Sequence, residues 1–142
     1  MQNEIDQERI VSHSRVTFLF SFIVQNPHSY ASAITINEAE PRLMDDVRQF
    51  LRKLAPPEYP YLHNDLHLRE APDGWPGGWE AWAAQEPENC HSHLLSMLLG
   101  NSETVPVVDG ELTIGTWQSV MLVELDGPRK RTVGVQVVGQ RK

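Results

Sequence analysis

The sequence feature that most constrains the fold is a nine-residue apolar run, residues 16–24, rich in phenylalanine and β-branched side chains. A run of this length and composition is typical of a buried β-strand. It is too short to span a bilayer, because a transmembrane helix needs about 20 apolar residues. We therefore predict a buried strand here.

A second strand and a long helix follow this run. Residues 33–36 alternate, which places Ile34 and Ile36 on one face of a strand. Pro41 suits the first position of a helix, and Pro56 stops it. The apolar side chains between the two prolines recur at helical spacing: Leu43, Val47, Phe50, Leu51 and Leu54. We predict an amphipathic helix that faces the core.

Between residues 58 and 88 the apolar residues show neither helical nor strand periodicity. Residues 73–79 predict a loop, followed by a short helical turn through Trp82. A stretch of this length inside a domain is usually functional or disordered. Its three tryptophans favour packing, because disordered segments rarely contain them.

The rest of the chain predicts one helix and a series of strands. Asn89 suits the N-cap of a helix that ends at Gly100. Strands are predicted at residues 104–107, 112–114, 120–124 and 132–138. Asp109 and Gly110 form a hairpin signal, and residues 126–128 turn the last pair, so we expect a meander. The order of elements predicts an α+β fold, with all 142 residues in a single domain.

Charge and cysteine content exclude several classes of protein. The net charge of −7 argues against a broad nucleic-acid surface, which needs a basic stripe to neutralise phosphates. Cys90 is the only cysteine, so no internal disulfide forms. The acidic residues Glu4, Asp6 and Glu8 are unlike the basic start of a signal peptide. We therefore expect a cytoplasmic protein with no nucleic-acid and no membrane partner.

Histidines are the candidate functional residues. Five of the six occur where the pattern predicts loops or helix ends: His28, His63, His67, His91 and His93. Imidazole is a common metal ligand and also acts as a general acid or base. Residues two apart on a regular helix point about 200° apart, so His91 and His93 share one ion only at an irregular helix start. His63 and His67 share one face if the loop forms a helical turn there.

Structural interpretations of the same residues stay open. Most histidines in proteins lie on the surface or have hydrogen-bond partners in the core. Spacing alone therefore leaves a metal or catalytic site and a structural role equally open. Cys90 has no established acid–base partner, and such a cysteine is more often a small buried hydrophobe. Glu38 is either a general base or a support for the start of the next helix. Gln118 either places a polar group at the edge of a site or belongs to a tight turn.

Several short segments occur in a characteristic order along the chain. They lie at residues 33–38, 61–64, 89–94, 98–102, 105–107, 109–112 and 115–118. The most specific stretch begins at residue 107 and ends at Arg129. This ordered set, from residue 27 to residue 139, resembles the YjbQ family, whose members are often labelled secondary thiamine-phosphate synthases.

The resemblance implies an α+β domain in which mixed or antiparallel strands form a sandwich around helices, associated as a homotrimer. It also implies a site near subunit boundaries with a bound divalent metal ion, for which zinc is the expected identity. The implied metal ligands are His63, His91, His93 and His28. The implied catalytic residues are His63, His91, Glu38 and Gln118.

The chain departs from the family pattern in three ways. The family has a histidine nine residues before the glutamate that matches Glu38, whereas Ser29 stands there and His28 is one residue too early. His28 joins the site only if a one-residue bulge restores its position. The segment before His28 is shorter than usual, so a leading strand is expected to be missing. The loop at residues 65–88 is longer than usual and is expected to shield or reshape the site.

Two functions follow from the resemblance. The first is a metal-assisted enzyme that acts on a small phosphorylated metabolite. The family label implies joining a hydroxymethylpyrimidine diphosphate to a thiazole phosphate, with release of pyrophosphate; His91 or His93 would hold the metal ion or carry protons. The alternative is a non-catalytic trimeric binding or scaffold protein whose histidine site is degraded.

Overall fold

The computed structural model describes residues 18–25 and 31–139, in which antiparallel strands and three α-helices form the α+β fold that the sequence predicts. The strands are β1 (Phe18–Gln25), β2 (Ser32–Glu38), β3 (Ser102–Val108), β4 (Glu111–Leu112), β5 (Gln118–Glu124) and β6 (Thr132–Gly139). The helices are α1 (Pro41–Leu54), α2 (Gly78–Ala83) and α3 (Cys90–Leu99). Two 3-10 turns, Leu62–Asn64 and Leu66–Leu68, precede α2. The predictions for His28 and for the leading strand lie outside the described residues.

The apolar run near the start of the chain forms β1, an inner strand of a four-stranded sheet in the order β4-β3-β1-β6. Phe22 lies opposite Glu103 of β3 and Val135 of β6, so both edges of β1 are paired. The predicted strand is therefore confirmed. Its faces are less covered than predicted, because Phe22 is half-buried and Leu19 is exposed.

The other two strands, β2 and β5, form a separate antiparallel ribbon. Ser32 lies opposite Glu124 at one end of this ribbon, and Glu38 lies opposite Gln118 at the other. The predicted C-terminal meander is therefore wrong. Because β1 separates β3 from β6, and β5 pairs with β2, the turn at residues 126–128 leads from one sheet to the other.

Two local signals produce the structures that they predict. Asp109 and Gly110 connect β3 to β4 with positive φ angles of 52° and 87°, as a tight hairpin requires. Helix α1 begins at Pro41, and the carboxylate of Glu40 accepts hydrogen bonds from two backbone N–H groups of its first turn at 3.0 and 2.7 Å. The sequence pattern predicted this helix but not the glutamate that caps it.

Part of the core lies where α1 meets α3, and further buried side chains lie on β2 and β3, among them Ile34 and Val105. Leu51 of α1 packs with Ala55 and with Leu95 of α3. The prediction that α1 faces the core is only partly met, because Phe50 and Leu54 are exposed in the described chain. No helix among the described residues is long and apolar enough to cross a membrane.

Candidate functional site

The start of α3 is fixed by a residue far away in the chain. Asn89 occupies the predicted N-cap position, and its carbonyl oxygen accepts the N–H groups of Ser92 and His93 at 2.9 and 3.2 Å. Its side chain makes no capping hydrogen bond to α3. Instead, the amide oxygen of Asn64 accepts the N–H of Cys90 at 3.2 Å, which ties the first 3-10 turn to this helix.

This tie places His63, which precedes Asn64, against His93. The two ring centroids are 5.1 Å apart, and the rings meet edge to face at 80°. The Nε2 atom of His63 is buried and has no hydrogen-bond partner within residues 18–25 and 31–139. Burial lowers the pKa of His63, and the neighbouring charges of Arg69 and His93 lower it further. The neutral imidazole therefore offers a nitrogen lone pair near pH 7.

Arg69 connects the loop at residues 65–88 to His63 through hydrogen bonds. Its guanidinium donates to the carbonyl oxygen of His63 at 3.1 Å and to a carboxylate oxygen of Glu86 at 2.9 Å. It also lies 4.9 Å above the ring of Trp82, a cation–π distance. The indole N–H of Trp79 donates to the Arg69 carbonyl at 2.8 Å. The prediction that this tryptophan-rich loop is packed is therefore met by Trp82, which is buried, and only in part by Trp75 and Trp79, which are exposed.

A cavity of about 380 Å³ opens beside the histidine pair. Its wall includes His63 and His93, the guanidinium-bearing Arg69 and Arg129, the carboxylate-bearing Glu86 and Asp126, and Trp75. Each arginine is paired with one of the two acids, so the formal charges of this wall balance. The volume lies in the range of small-molecule sites.

Glu38 and Gln118 lie away from this cavity within one chain. The hydroxyl of Ser92 on α3 donates to the carbonyl of Leu125, just beyond the Ser32–Glu124 end of the ribbon, so that end adjoins the helix that carries His93. Glu38 lies six residue steps from Ser32, or about 20 Å along an extended strand. The two predicted polar site residues therefore lie at the far end of the ribbon.

Gln118 has a structural role at that far end. Its side-chain oxygen accepts the N–H of Gly115 at 2.7 Å, which closes the turn that precedes β5. Trp117, between them, is 75% exposed. Of the two readings that the sequence left open for Gln118, the tight turn is present, and the site edge is not formed within the described chain.

Among the described residues, His91 and His67 do not join the pair. His91 occupies the first turn of α3 but is not in the cavity wall, and its Nδ1 is buried without a hydrogen-bond partner in the described part of the chain. His67 is exposed in the second 3-10 turn, and His28 lies outside the described residues. Within residues 18–25 and 31–139, no group of three or more His, Cys, Asp or Glu side chains is placed to hold a metal ion.

Sequence patterns missed several residues that build the cavity. Arg69 and Glu86 are 17 positions apart in a segment without periodicity, so no spacing rule connects them. Asn64 lies in a segment that carries the family resemblance, yet its role depends on a contact across 26 positions. The one usable signal was the group of tryptophans, which predicted packing but not the partner.

Comparison with known proteins adds a family match. A family model described as “UPF0047 protein YjbQ-like” matches residues 6–140. A UPF0047 protein of Methanothermobacter thermautotrophicus is 39% identical over 77% of this chain, which spans 62% of that relative, less than two thirds of its length. A UPF0047 protein of Archaeoglobus fulgidus is 36% identical over 82% of this chain and 75% of its own length.

Solved structures show the same likeness. A hypothetical protein from Aeropyrum pernix K1 superposes with a TM-score of 0.67 at 38% identity, covering 88% of this chain and 76% of that chain. A YbjQ-like protein of unknown function from Sulfolobus solfataricus P2 gives a TM-score of 0.63 at 29% identity, covering 85% and 70%.

Proposed function

The chain belongs to the UPF0047 family of YjbQ-like proteins, and we propose that it is a metal-assisted enzyme acting on a small phosphorylated metabolite. The observation that carries this proposal is the contact between His63 and His93 beside a polar cavity, with the buried Nε2 of His63 unpartnered in the described chain. A buried nitrogen without a partner is costly unless it binds something.

The donor atoms fit part of a metal site. Two adjacent imidazoles are typical zinc ligands, and the unpartnered Nδ1 of His91 is a further donor near the start of α3. His63, His91 and His93 would hold the ion, with His28 as a fourth candidate. The metal would supply positive charge to polarise a phosphoryl oxygen or to stabilise a departing phosphate.

The residues of the cavity suit an anionic ligand that carries its own counterion. Arg69 and Arg129 present guanidinium donors to the cavity, but Glu86 and Asp126 already balance their charge. A phosphorylated ligand therefore gains little net attraction from the chain alone, and a divalent ion would provide the missing charge. His63, neutral near pH 7, would offer the lone pair of Nε2 to that ion. Thiamine-phosphate formation is the first activity to assay.

We further propose a homotrimer in which the Glu38–Gln118 end of one subunit meets the cavity of the next. These two residues are about 20 Å from the histidine end along the ribbon, so they reach a cavity only from another chain. The exposure of Trp117, and of Val135 and Val137 on β6, supports an interface. Gln118 would then contact substrate rather than the metal.

The experiment is zinc binding by calorimetry on untagged protein, with metal content measured after purification without chelator. Wild type is expected to hold about one ion per chain, as a site with an open position does. His93→Ala is expected to lower the affinity for zinc at least about 100-fold, because loss of a ligand costs more than loss of a residue that only orients a ligand. His67→Ala, an exposed histidine on the neighbouring turn, is the matched control and is expected to bind as wild type does.

A scaffold whose histidine site is structural or degraded is the second candidate, and the lack of a three-ligand group among the described residues favours the degraded form. The two candidates differ in what His93→Ala does to folding. In an enzyme the variant loses zinc and keeps its fold, whereas in a scaffold with a structural site its melting temperature collapses. Absence of zinc binding by wild type at any tested concentration would contradict the enzyme and indicate a scaffold whose histidine site is degraded.

A further inference from the structure

Trp75 stands apart from the other residues of the cavity wall because it is large, flat and apolar. It is 37% exposed, and it shares the wall with Arg69, Arg129 and the histidine pair. We propose that Trp75 is a specificity-determining residue that stacks on a planar aromatic group of the phosphorylated ligand. This inference rests on the proposed function, and it adds the part of the ligand that the cavity recognises besides phosphate.

Two consecutive turns hold Trp75 in place. Its N–H donates to the carbonyl of Pro72 at 3.1 Å, and its own carbonyl accepts the N–H of Gly78 at 3.0 Å. Gly77 has a φ of +84°, and a Cβ there would lie 2.7 Å from the Cβ of Ala81. Glycine is therefore required at this position, and the turn packs closely on α2.

Helix α2 is anchored in turn to the histidine pair. Trp82 of α2 is buried, and the guanidinium of Arg69 lies over its ring. Arg69 bonds to the carbonyl of His63, and Trp79 of α2 bonds to the carbonyl of Arg69. The backbone of Trp75 thus lies on a scaffold that is already ordered, so a ligand does not have to order this segment on binding.

The chemistry of the wall separates into two parts. Guanidinium and imidazole donors suit a phosphate group, while an indole offers a flat apolar surface that prefers another ring. A rigid aromatic wall discriminates by shape, because a planar ring can approach it more closely than a puckered one. The ligand class that uses both parts is a phosphate ester of a planar aromatic or heteroaromatic alcohol.

The test compares three probes by calorimetry on the full-length, zinc-loaded protein: inorganic phosphate, phenyl phosphate and cyclohexyl phosphate. The two esters have nearly equal size, so their difference reports planarity. Wild type is expected to bind phenyl phosphate about tenfold more tightly than cyclohexyl phosphate, within the range for one stacking contact. Trp75→Ala is expected to abolish this preference while its affinity for inorganic phosphate stays within about twofold of wild type, because phosphate recognition depends on charge and donors. Trp75→Phe is expected to keep most of the preference.

Each contrary result has one meaning. An equal phenyl preference in wild type and Trp75→Ala overturns this inference and leaves the proposed function intact. A changed mass of the oligomer in Trp75→Ala, with unchanged ester preference, assigns Trp75 to a subunit contact and also overturns this inference. Failure of wild type to bind any of the three probes overturns both the proposed function and this inference.

Discussion

The two ends of the β2–β5 ribbon carry similar residue types in very different surroundings. At the Ser32–Glu124 end, aromatic rings, arginines and carboxylates find partners within the same chain around a cavity. At the Glu38–Gln118 end, the polar and aromatic side chains are exposed. The sequence marks both ends as candidate sites, yet only the first is assembled within one chain. Residue type therefore predicts chemistry only where packing brings the residues together.

The largest contrast is expected between two tryptophans, one at each end. Trp82→Ala removes a ring that is 4% exposed and is expected to lower the free energy of unfolding by about 3–5 kcal/mol. Trp117→Ala removes an exposed ring, so it should weaken the association of subunits in the proposed trimer. Urea unfolding at several protein concentrations separates them, because only an association defect depends on concentration. A Trp117→Ala protein that associates as wild type does would show that the far end is not an interface.

Two arginines give the next contrast. The side chain of Arg131 is 2% exposed and forms a bidentate pair with Glu124, whereas Arg48 pairs with Asp45 on the surface. Burial alone would raise the pKa of Glu124, but hydrogen bonds from Arg131 and the Asp126 backbone outweigh it, so that pKa is lowered.

Removing Arg131 leaves the carboxylate half-sheltered and unpaired. Arg131→Gln is expected to cost about 2 kcal/mol of stability, less than a fully buried pair because Glu124 retains some exposure. Arg48→Gln is expected to cost less than about 0.5 kcal/mol. Chemical denaturation at pH 7 measures both. Equal costs would mean that burial does not distinguish the two pairs.

Two asparagines extend the comparison to hydrogen bonds. Asn64 caps α3 from 26 positions away, while Asn37 accepts the N–H of the adjacent Glu38 on the exposed far end. Asn64→Ala is expected to cost about 1 kcal/mol, as loss of a helix cap does. Asn37→Ala is expected to stay within about 0.5 kcal/mol. Asn64→Ala should also weaken zinc binding, because the bond sets His63 against His93; unchanged zinc affinity would contradict that role.

The parts of the fold that the sequence predicted depend on local signals. Helix α1 and the β3–β4 hairpin follow from Pro41 and from Asp109–Gly110, each of which acts within a few residues. Strand order could not be derived the same way, because β1 pairs with β6 across more than 100 positions. The site divides similarly. Composition singled out five histidines, and spacing paired His91 with His93 and His63 with His67, whereas the contact between His63 and His93 and the role of Arg69 depend on packing across the chain.

The smallest expected effect is the pH dependence that His63 gives the histidine end. Its pKa is lowered from the ordinary 6.5 by burial first and then by Arg69 and His93. Below 6.5 the unfolded chain therefore binds more protons at this residue than the folded chain does. The stability it contributes is complete above the unfolded pKa and is lost as the pH falls through the folded pKa.

Measurement of unfolding free energy between pH 7.5 and 5.5, with chelator present, should thus show a decline that is shallower in His63→Gln than in wild type. This window lies above the pH at which Glu124, whose folded pKa lies below 4.5, begins to lose its own contribution. Identical slopes for the two proteins would mean that His63 is as well solvated in the fold as in the unfolded chain. The histidine end would then lose one of its electrostatic distinctions from the exposed end, and His63 would no longer be an imidazole kept neutral by burial.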